Sequence, residues 1–298
     1  MDVGGSHIDI ARIDLDLNIQ LLNSIDIHPE YTFSDFIEFL FSTLKNNNLW
    51  EIERLGIALP GTVNPYKNYC INCPNLLYWK NLDFGIITDE ARKQGIEIRK
   101  ILISNDCNAG AVGVYKILEI TKDNIVYITI GTGIGGGAII NRKLLVGANY
   151  SAMELGHTKI GEKSYRCGCG AFSCIETFAS AKSLVNYYNN KYRKNYQKLL
   201  PIIQNEDFSK VNRLFKRFCK YLSILLNNII YTIDPDFIFI SGKIALSSEF
   251  FEEYLKNEIF SKITMIKEYD VSRIIFLKNV KQYNSYNLVG STFVDEFL

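Results

Sequence analysis

The chain has 298 residues, with 33 Lys and Arg against 32 Asp and Glu, a net charge of +1 and 47% hydrophobic residues. That length exceeds one small core and fits two domains of ordinary size. The balanced charge excludes a broad basic face for nucleic acid, and no apolar run is long enough to span a bilayer as a helix.

Asp2 and a glycine pair stand where a secretory signal would need an apolar segment, so a cytoplasmic location is the expectation. Residues 1–28 read as strands, alternating apolar and polar from His7 to Asp14, interrupted by a tight turn at Gly4-Gly5-Ser6. Phe33, Phe36, Ile37, Leu40 and Leu44 then recur at helical spacing, with Thr32 or Ser34 as cap. Leu55–Pro60 is a short apolar strand, Leu82–Gln94 a helix stopped by Gly95, and 100–104 a strand running into Asn105-Asp106. Residues 107–119 are helical, 124–131 form a buried strand, and 136–147 form a hairpin turning near Asn141-Arg142. Thr177–Ile233 is helical with a break around Pro201. The chain closes with a strand at 237–240, a helix at Glu249–Ile263, a strand at 273–278 and a helix at 285–298. Alternating strands and helices in both halves predict an α/β protein with two mixed sheets, and the boundary is expected at 105–120.

Seven cysteines in a reducing compartment favour metal binding over disulfides. His157, Cys167, Cys169 and Cys174 lie within one glycine-rich stretch, with nine residues between the first two and then C-x-C and C-x₄-C. One imidazole and three thiolates are a tetrahedral zinc set, and four protein ligands leave no open position, so the metal is expected to be structural. Glu154 stands three residues before the histidine and Glu176 two after the last cysteine. A metal fixing the stretch would fix these carboxylates too, as acceptors for the hydroxyls of a sugar. The second ring nitrogen of His157 is a further candidate donor to a sugar. Cys70 and Cys73 form a C-x-x-C in a predicted loop, a weak signal for metal or redox chemistry, and Cys107 and Cys219 read as buried filler.

Two glycine turns follow strands, at 2–7 (DVGGSH) and 131–137 (GTGIGGG), with Ser6 and Thr132 as hydroxyl donors. Such turns bring backbone N–H groups close to an anion, and two of them could close on the phosphates of one nucleotide. Neither is a Walker loop or a Rossmann fingerprint. Where strand becomes helix, either Asn105 or Asp106 only caps the helix, or Asp106 is a general base that takes a hydroxyl proton during phosphoryl transfer.

Together these blocks resemble the ROK family (repressor, open reading frame, kinase), through DVGGSH, GIALPGTVN, PNLLYW, SNDCNAGAVG, TIGTGIGGGAII, ELGH, the C-x-C-G-x₃-C-x-E run and DPDFIFISG. Ser6 stands for the family's threonine, Ser173 for a glycine before the last cysteine, and Ser241 for the first of two glycines. The resemblance implies an actin/hexokinase-like (ribonuclease H-like) two-domain fold with a cleft. Its expected division is 1–106, a small α/β domain on which helix 285–298 packs back, and 107–284, a larger α/β domain with the zinc loop. It also implies ATP, Mg²⁺ and transfer to a hexose 6-hydroxyl, glucose first. By the match Asp106 is the base, and Asn105, Glu154, His157 and Glu176 hold the sugar. Gly4, Gly5, Ser6, Thr132 and Gly133 line the phosphates, Asp2 orients magnesium through water, and a homodimer is expected. The loop at Tyr66–Trp79 is expected to shape the pocket around the sugar's second carbon. The family's first strand has apolar residues before its aspartate where only Met1 stands here, so a native start upstream is expected. An N-acetylhexosamine kinase (GlcNAc or ManNAc), a sugar-responsive regulator with a DNA-binding part upstream, and a catalytically dead sugar binder are the alternatives.

Overall fold

The computed structural model describes residues 1–161, 165–262, 265–266, 269–278 and 285–298. The chain opens with β1 (Asp2–Val3), β2 (His7–Ile13) and β3 (Ile19–Asp26). Helix α1 (Phe33–Asn46) starts on a capping box: the Thr32 hydroxyl accepts from the Asp35 N–H, and the Asp35 carboxylate accepts from the Thr32 N–H. Strand β4 (Glu51–Leu59) is followed by β5 (Thr62–Asn64), β6 (Tyr69–Asn72) and β7 (Lys80–Asp83), a small antiparallel sheet where the sequence reads as loop. Because Leu82 pairs with Cys70, helix α2 (Ile86–Lys93) begins four residues later than its apolar pattern indicates. Strand β8 (Glu97–Asn105) runs directly into α3 (Asp106–Ile117).

Next come β9 (Ile125–Ile130), β10 (Ile134–Ile140) and β11 (Lys143–Leu144), the last two joined through Asn141 and Arg142, both at positive φ (51° and 61°) as a tight hairpin requires. Four helices follow: α4 (Glu176–Ala179), α5 (Ala181–Tyr192), α6 (Leu199–Asn205) and α7 (Phe208–Ile233). The expected break lies at 193–198, just before Pro201, which is itself the third residue of α6, in the first turn, where a missing N–H loses no intrahelical bond. Further interruptions fall at Ser180, which caps α5, and at Glu206-Asp207 between α6 and α7, and Arg193 ends α5 with φ 53°. Strand β12 (Phe237–Ser241) leads to a 3₁₀ turn over 245–250, so α8 (Glu252–Phe260) starts later than Glu249; the expected end at Ile263 lies outside the described residues. Strand β13 (Ile274–Phe276) and helix α9 (Ser285–Phe293), which passes into a 3₁₀ turn, complete the chain.

The chain divides into two units: Met1–Asp123 with Gly137–Ala152 and Asn284–Leu298, and Asn124–Gly136 with Met153–Tyr283. The first unit extends beyond Asp106 because α3 packs on α9, and α9 on β4. Its sheet has the order β3-β2-β1-β4-β8, antiparallel from β3 to β1 and parallel from β1 to β8. One face buries Phe36, Leu40, Ile57, Trp79 and Phe84, and the Trp79 indole N–H donates to the Tyr31 carbonyl at 2.9 Å. Three glycines admit α9: a Cβ on Gly290 would collide with the Ala109 carbonyl, on Gly113 with that of Tyr286, and on Gly56 with the Ser291 backbone.

In the second unit β9 pairs in parallel with β12, and β12 with β13. Strand β10 runs on past Gly136 to pair with β11, giving a sheet of order β11-β10-β9-β12-β13. Helix α7 buries one long face, with Phe215 and Phe218 each 5.0 Å from the Phe251 ring.

Gly290→Ala should destabilise the protein by about 3 kcal/mol or more, because backbone cannot yield to a Cβ as a flexible side chain could. Chemical denaturation measures this, and a loss near the cost of an ordinary surface change would show that α9 can shift.

Candidate functional site

In the first unit β1 carries Asp2 into the Gly4-Gly5-Ser6 turn, closed by a bond from the Gly4 N–H to the His7 carbonyl at 2.8 Å. A Cβ on Gly5 would press on the Asn75 side chain at 3.1 Å, so Asn75 is the neighbour of this turn, while Ser6 is exposed. Asp2 is buried, and the Asn287 amide on α9 lies 3.3 Å from both of its carboxylate oxygens. Burial, and then the charge of Asp106, push the Asp2 carboxyl up to about 7; the Asn287 bond acts in the opposite direction.

The choice of cap for α3 is decided by hydrogen bonds. Asn105 is the N-cap: its Oδ1 accepts from the N–H groups of Cys107 (2.9 Å) and Asn108 (3.1 Å), and its Nδ2 donates to the Gly61 carbonyl at 3.0 Å. Asp106, the first residue of α3, accepts from the Cys107 N–H at 2.8 Å and remains close enough to act electrostatically on Asp2.

In the second unit the Gly131–Gly133 turn joins β9 to β10, with Thr132 exposed. A Cβ on Gly133 would stand 2.8 Å from Oε2 of Glu176, and one on Gly156 3.3 Å from the same oxygen. The other oxygen of Glu176 accepts from the Cys167 thiol at 2.8 Å and lies 3.7 Å from Nδ1 of His157. Glu176, the first residue of α4, therefore faces the glycine turn with one oxygen and the cysteines with the other. Glu154, just before the 3₁₀ turn Leu155–His157, is exposed.

The structure brings His157, Cys167, Cys169 and Cys174 together, with one donor atom from each, all within 4.8 Å of one another. Nδ1 of His157 is 3.6 Å from the Cys167 sulfur, and the sulfurs of Cys169 and Cys174 are also 3.6 Å apart. Tetrahedral bonds of about 2.3 Å to sulfur and 2.0 Å to nitrogen imply edges of about 3.5–3.8 Å. The donor set and its spacing fit zinc. Nδ1 turns toward the cluster, which leaves Nε2 as the outward nitrogen. Two features lie outside the sequence reading: the Lys159 ammonium donates to the Cys174 sulfur at 2.7 Å, and Ser173 sits at φ 65°, where the glycine it replaces would be unstrained. Without a cation, burial, followed by the Glu176 carboxylate, pushes the Cys167 thiol up.

A family model of the ROK family matches residues 1–290. The chain belongs to the ROK family. The xylose repressor of Bacillus subtilis is 30% identical over 271 residues, covering 88% of this chain and 68% of that protein. The N-acetylmannosamine kinase of Escherichia coli O6:H1 is 26% identical over 268 residues, covering 88% of this chain and 89% of that one. The ROK glucokinase of Streptomyces griseus, solved with glucose and AMPPNP, superimposes with a TM-score of 0.75 at 20% identity, covering 98% of this chain and 96% of that one. This ROK chain thus has the expected actin/hexokinase-like fold.

Asp2 carries a pH signature. Its folded value lies above its ordinary 3.8, so the folded chain holds the proton more tightly and stability falls as pH rises through the window up to about 7. Asp2→Asn, which keeps a partner for Asn287, should gain on the wild type by up to about 4 kcal/mol between about pH 4 and pH 8 in metal-free urea titrations. A pH-independent difference would rule this out. Cys169→Ser should lower bound zinc from about one equivalent to near zero by elemental analysis, and wild-type protein purified without zinc would refute the assignment.

Proposed function

We propose that this ROK protein is an ATP-dependent hexokinase that phosphorylates the 6-hydroxyl of a hexose, with glucose the first candidate. The observation that carries the reading is Asp106 at the carboxyl end of β8, in the same unit as buried Asp2 and the Gly4–Ser6 turn. Ligand chemistry in α/β proteins collects at such strand ends.

In this reading Asp106 accepts the hydroxyl proton. A carboxylate is adequate as the base, because in a loose transition state the proton leaves late and positioning supplies most of the acceleration. The Asn105 cap fixes the Asp106 backbone at the first turn of α3. Asn105, Glu154, His157 and Glu176 hold sugar hydroxyls, His157 through Nε2. Gly4, Gly5 and Gly133 offer backbone N–H groups to the phosphates, and Ser6 and Thr132 add hydroxyls. Asp2 would orient the water around a magnesium ion, which when bound with ATP would supply charge neutralisation to the phosphates. Zinc on His157, Cys167, Cys169 and Cys174 is structural and sets the position of Glu176, whose Oε1 touches the cluster.

Two further readings have specific support. The match to an N-acetylmannosamine kinase spans nearly nine-tenths of both chains, which favours an N-acetylhexosamine as the alternative substrate. The 30% identity to a xylose repressor supports sugar sensing by a transcriptional regulator.

A coupled ADP assay over glucose, N-acetylglucosamine, N-acetylmannosamine, allose and fructose separates these readings. The expected result is turnover with glucose. Sugar binding without ADP formation from any of the five would favour the regulator. Asp106→Asn should keep sugar affinity within about threefold and cut turnover by about 10³. Turnover near wild type in that variant would remove Asp106 as the base.

A further inference from the structure

We propose that the groove bounded by α5, α7 and α8 in the second unit is a binding site for a compact polyanion, a small phosphate compound carrying two or more negative charges. This inference is independent of the kinase reading. The groove is shallow and open to solvent, with a volume of about 640 Å³. The chain as a whole carries a net charge of only +1, yet five of the groove's lining residues are cationic and one, Glu258, is acidic. That acid is already engaged: Oε2 accepts from Lys262 at 2.9 Å, and Oε1 from the Tyr254 hydroxyl at 2.9 Å. Such a concentration of one sign in a concave surface focuses the field on an anion.

The contrast with neighbouring lysines is informative. Lys210 on α7 pairs with Glu206 and Asp207, and Lys256 on α8 pairs with Glu252. Arg213 and Lys216, one turn apart on α7, meet no carboxylate among the described residues. Arg213 stands three residues before Lys216 and four before Arg217 on α7, spacings at which like charges on a helix repel. An anion seated over them relieves that repulsion.

Arg217 is held in place for such a role. Its guanidinium lies 4.4 Å from the Tyr187 ring centre and 4.6 Å from that of Tyr221, and it donates to the Phe178 carbonyl at 3.2 Å. A planar donor fixed in this way loses little freedom on meeting a phosphate. The rings also narrow the ligand class. Single-stranded nucleic acid needs open aromatic faces on which bases stack. Here Arg217 covers Tyr187 and Tyr221, and Lys216 stands over Tyr254 at 5.6 Å. From 213 to 220 the helix advances only about 10 Å, the span of two or three linked phosphates.

The test is calorimetric titration with inorganic tripolyphosphate, with and without AMPPNP, on wild type and on Lys216→Glu/Arg213→Glu. The expected result is binding that persists with AMPPNP present and weakens at least tenfold in the double variant, with Lys216→Arg close to wild type. Equal affinity in the charge-reversed protein, or loss of all binding on adding AMPPNP, would overturn the proposal. So would tighter binding of a short single-stranded oligonucleotide than of tripolyphosphate. Sedimentation showing that charge reversal splits a dimer would instead make the groove an interface between two copies of this chain, and the proposal would fall.

Discussion

The first unit depends on the close approach of α9 to α3 and β4. Gly290, Gly113 and Gly56 remove the Cβ atoms that would hold the backbones apart. That contact has two functional consequences. Helix α3 begins with Asp106, so whatever fixes α3 fixes the candidate base. Helix α9 carries Asn287 to both oxygens of Asp2, so the far end of the sequence steadies a carboxylate in its first strand. Packing here is not separate from electrostatics: the same contact that completes the core holds an amide donor against a carboxyl that burial and Asp106 push up to about 7.

The zinc-type cluster plays the corresponding part in the second unit, by a different physical means. Among the described residues of 153–175, the regular structure is one 3₁₀ turn and an isolated bridge. Such a stretch lacks the ladder of backbone bonds that makes a site rigid. Four donor atoms within 4.8 Å supply convergence instead, and the isolated bridge from Lys159 to Cys174 adds one point of pairing. Glu176 inherits its placement from this, because one oxygen touches Cys167 while the other faces Gly133. The short contact from the Lys159 ammonium to a cluster sulfur offsets negative charge that three thiolates would bring.

Range along the chain decides how much of this is legible in the sequence. The cluster is readable because its spacing is local and its ligand types are rare together. The capping box at Thr32, the hairpin at Asn141-Arg142 and the strand ending at Asn105 are readable for the same reason. The β5-β6-β7 sheet is not, because Tyr69–Asn72 and Lys80–Asp83 are short and carry no clean alternation; their pairing is set by the Trp79 and Phe84 core. Asn287 is invisible for a stronger reason. Nothing near it signals a site, and its partner Asp2 is 285 residues away. Asn105 and Asp106 both stand out in the sequence, but only hydrogen bonds assign capping to the first.

The two sheets show why the glycine turns fall where they do. Each has the same strand order: an antiparallel ribbon leading to a central strand, then two parallel strands. In each, the glycine turn leaves the central strand, β1 or β9, and enters its neighbour β2 or β10. At that position the backbone has left one ladder and has not yet joined the next, so its N–H groups are not all committed to pairing. Glycine there leaves the approach unobstructed, as at Gly131, where a Cβ would meet nothing within 4 Å. The sequence carries no strong internal repeat, because the two sheets share a path of the chain and not their side chains. The sheets differ at the ends of their parallel strands: β8 ends on an Asn–Asp pair that starts a helix, whereas β12 ends on Ser241 before Gly242 at φ 92°. One architecture thus presents a carboxylate at the strand end in the first unit and bare backbone in the second.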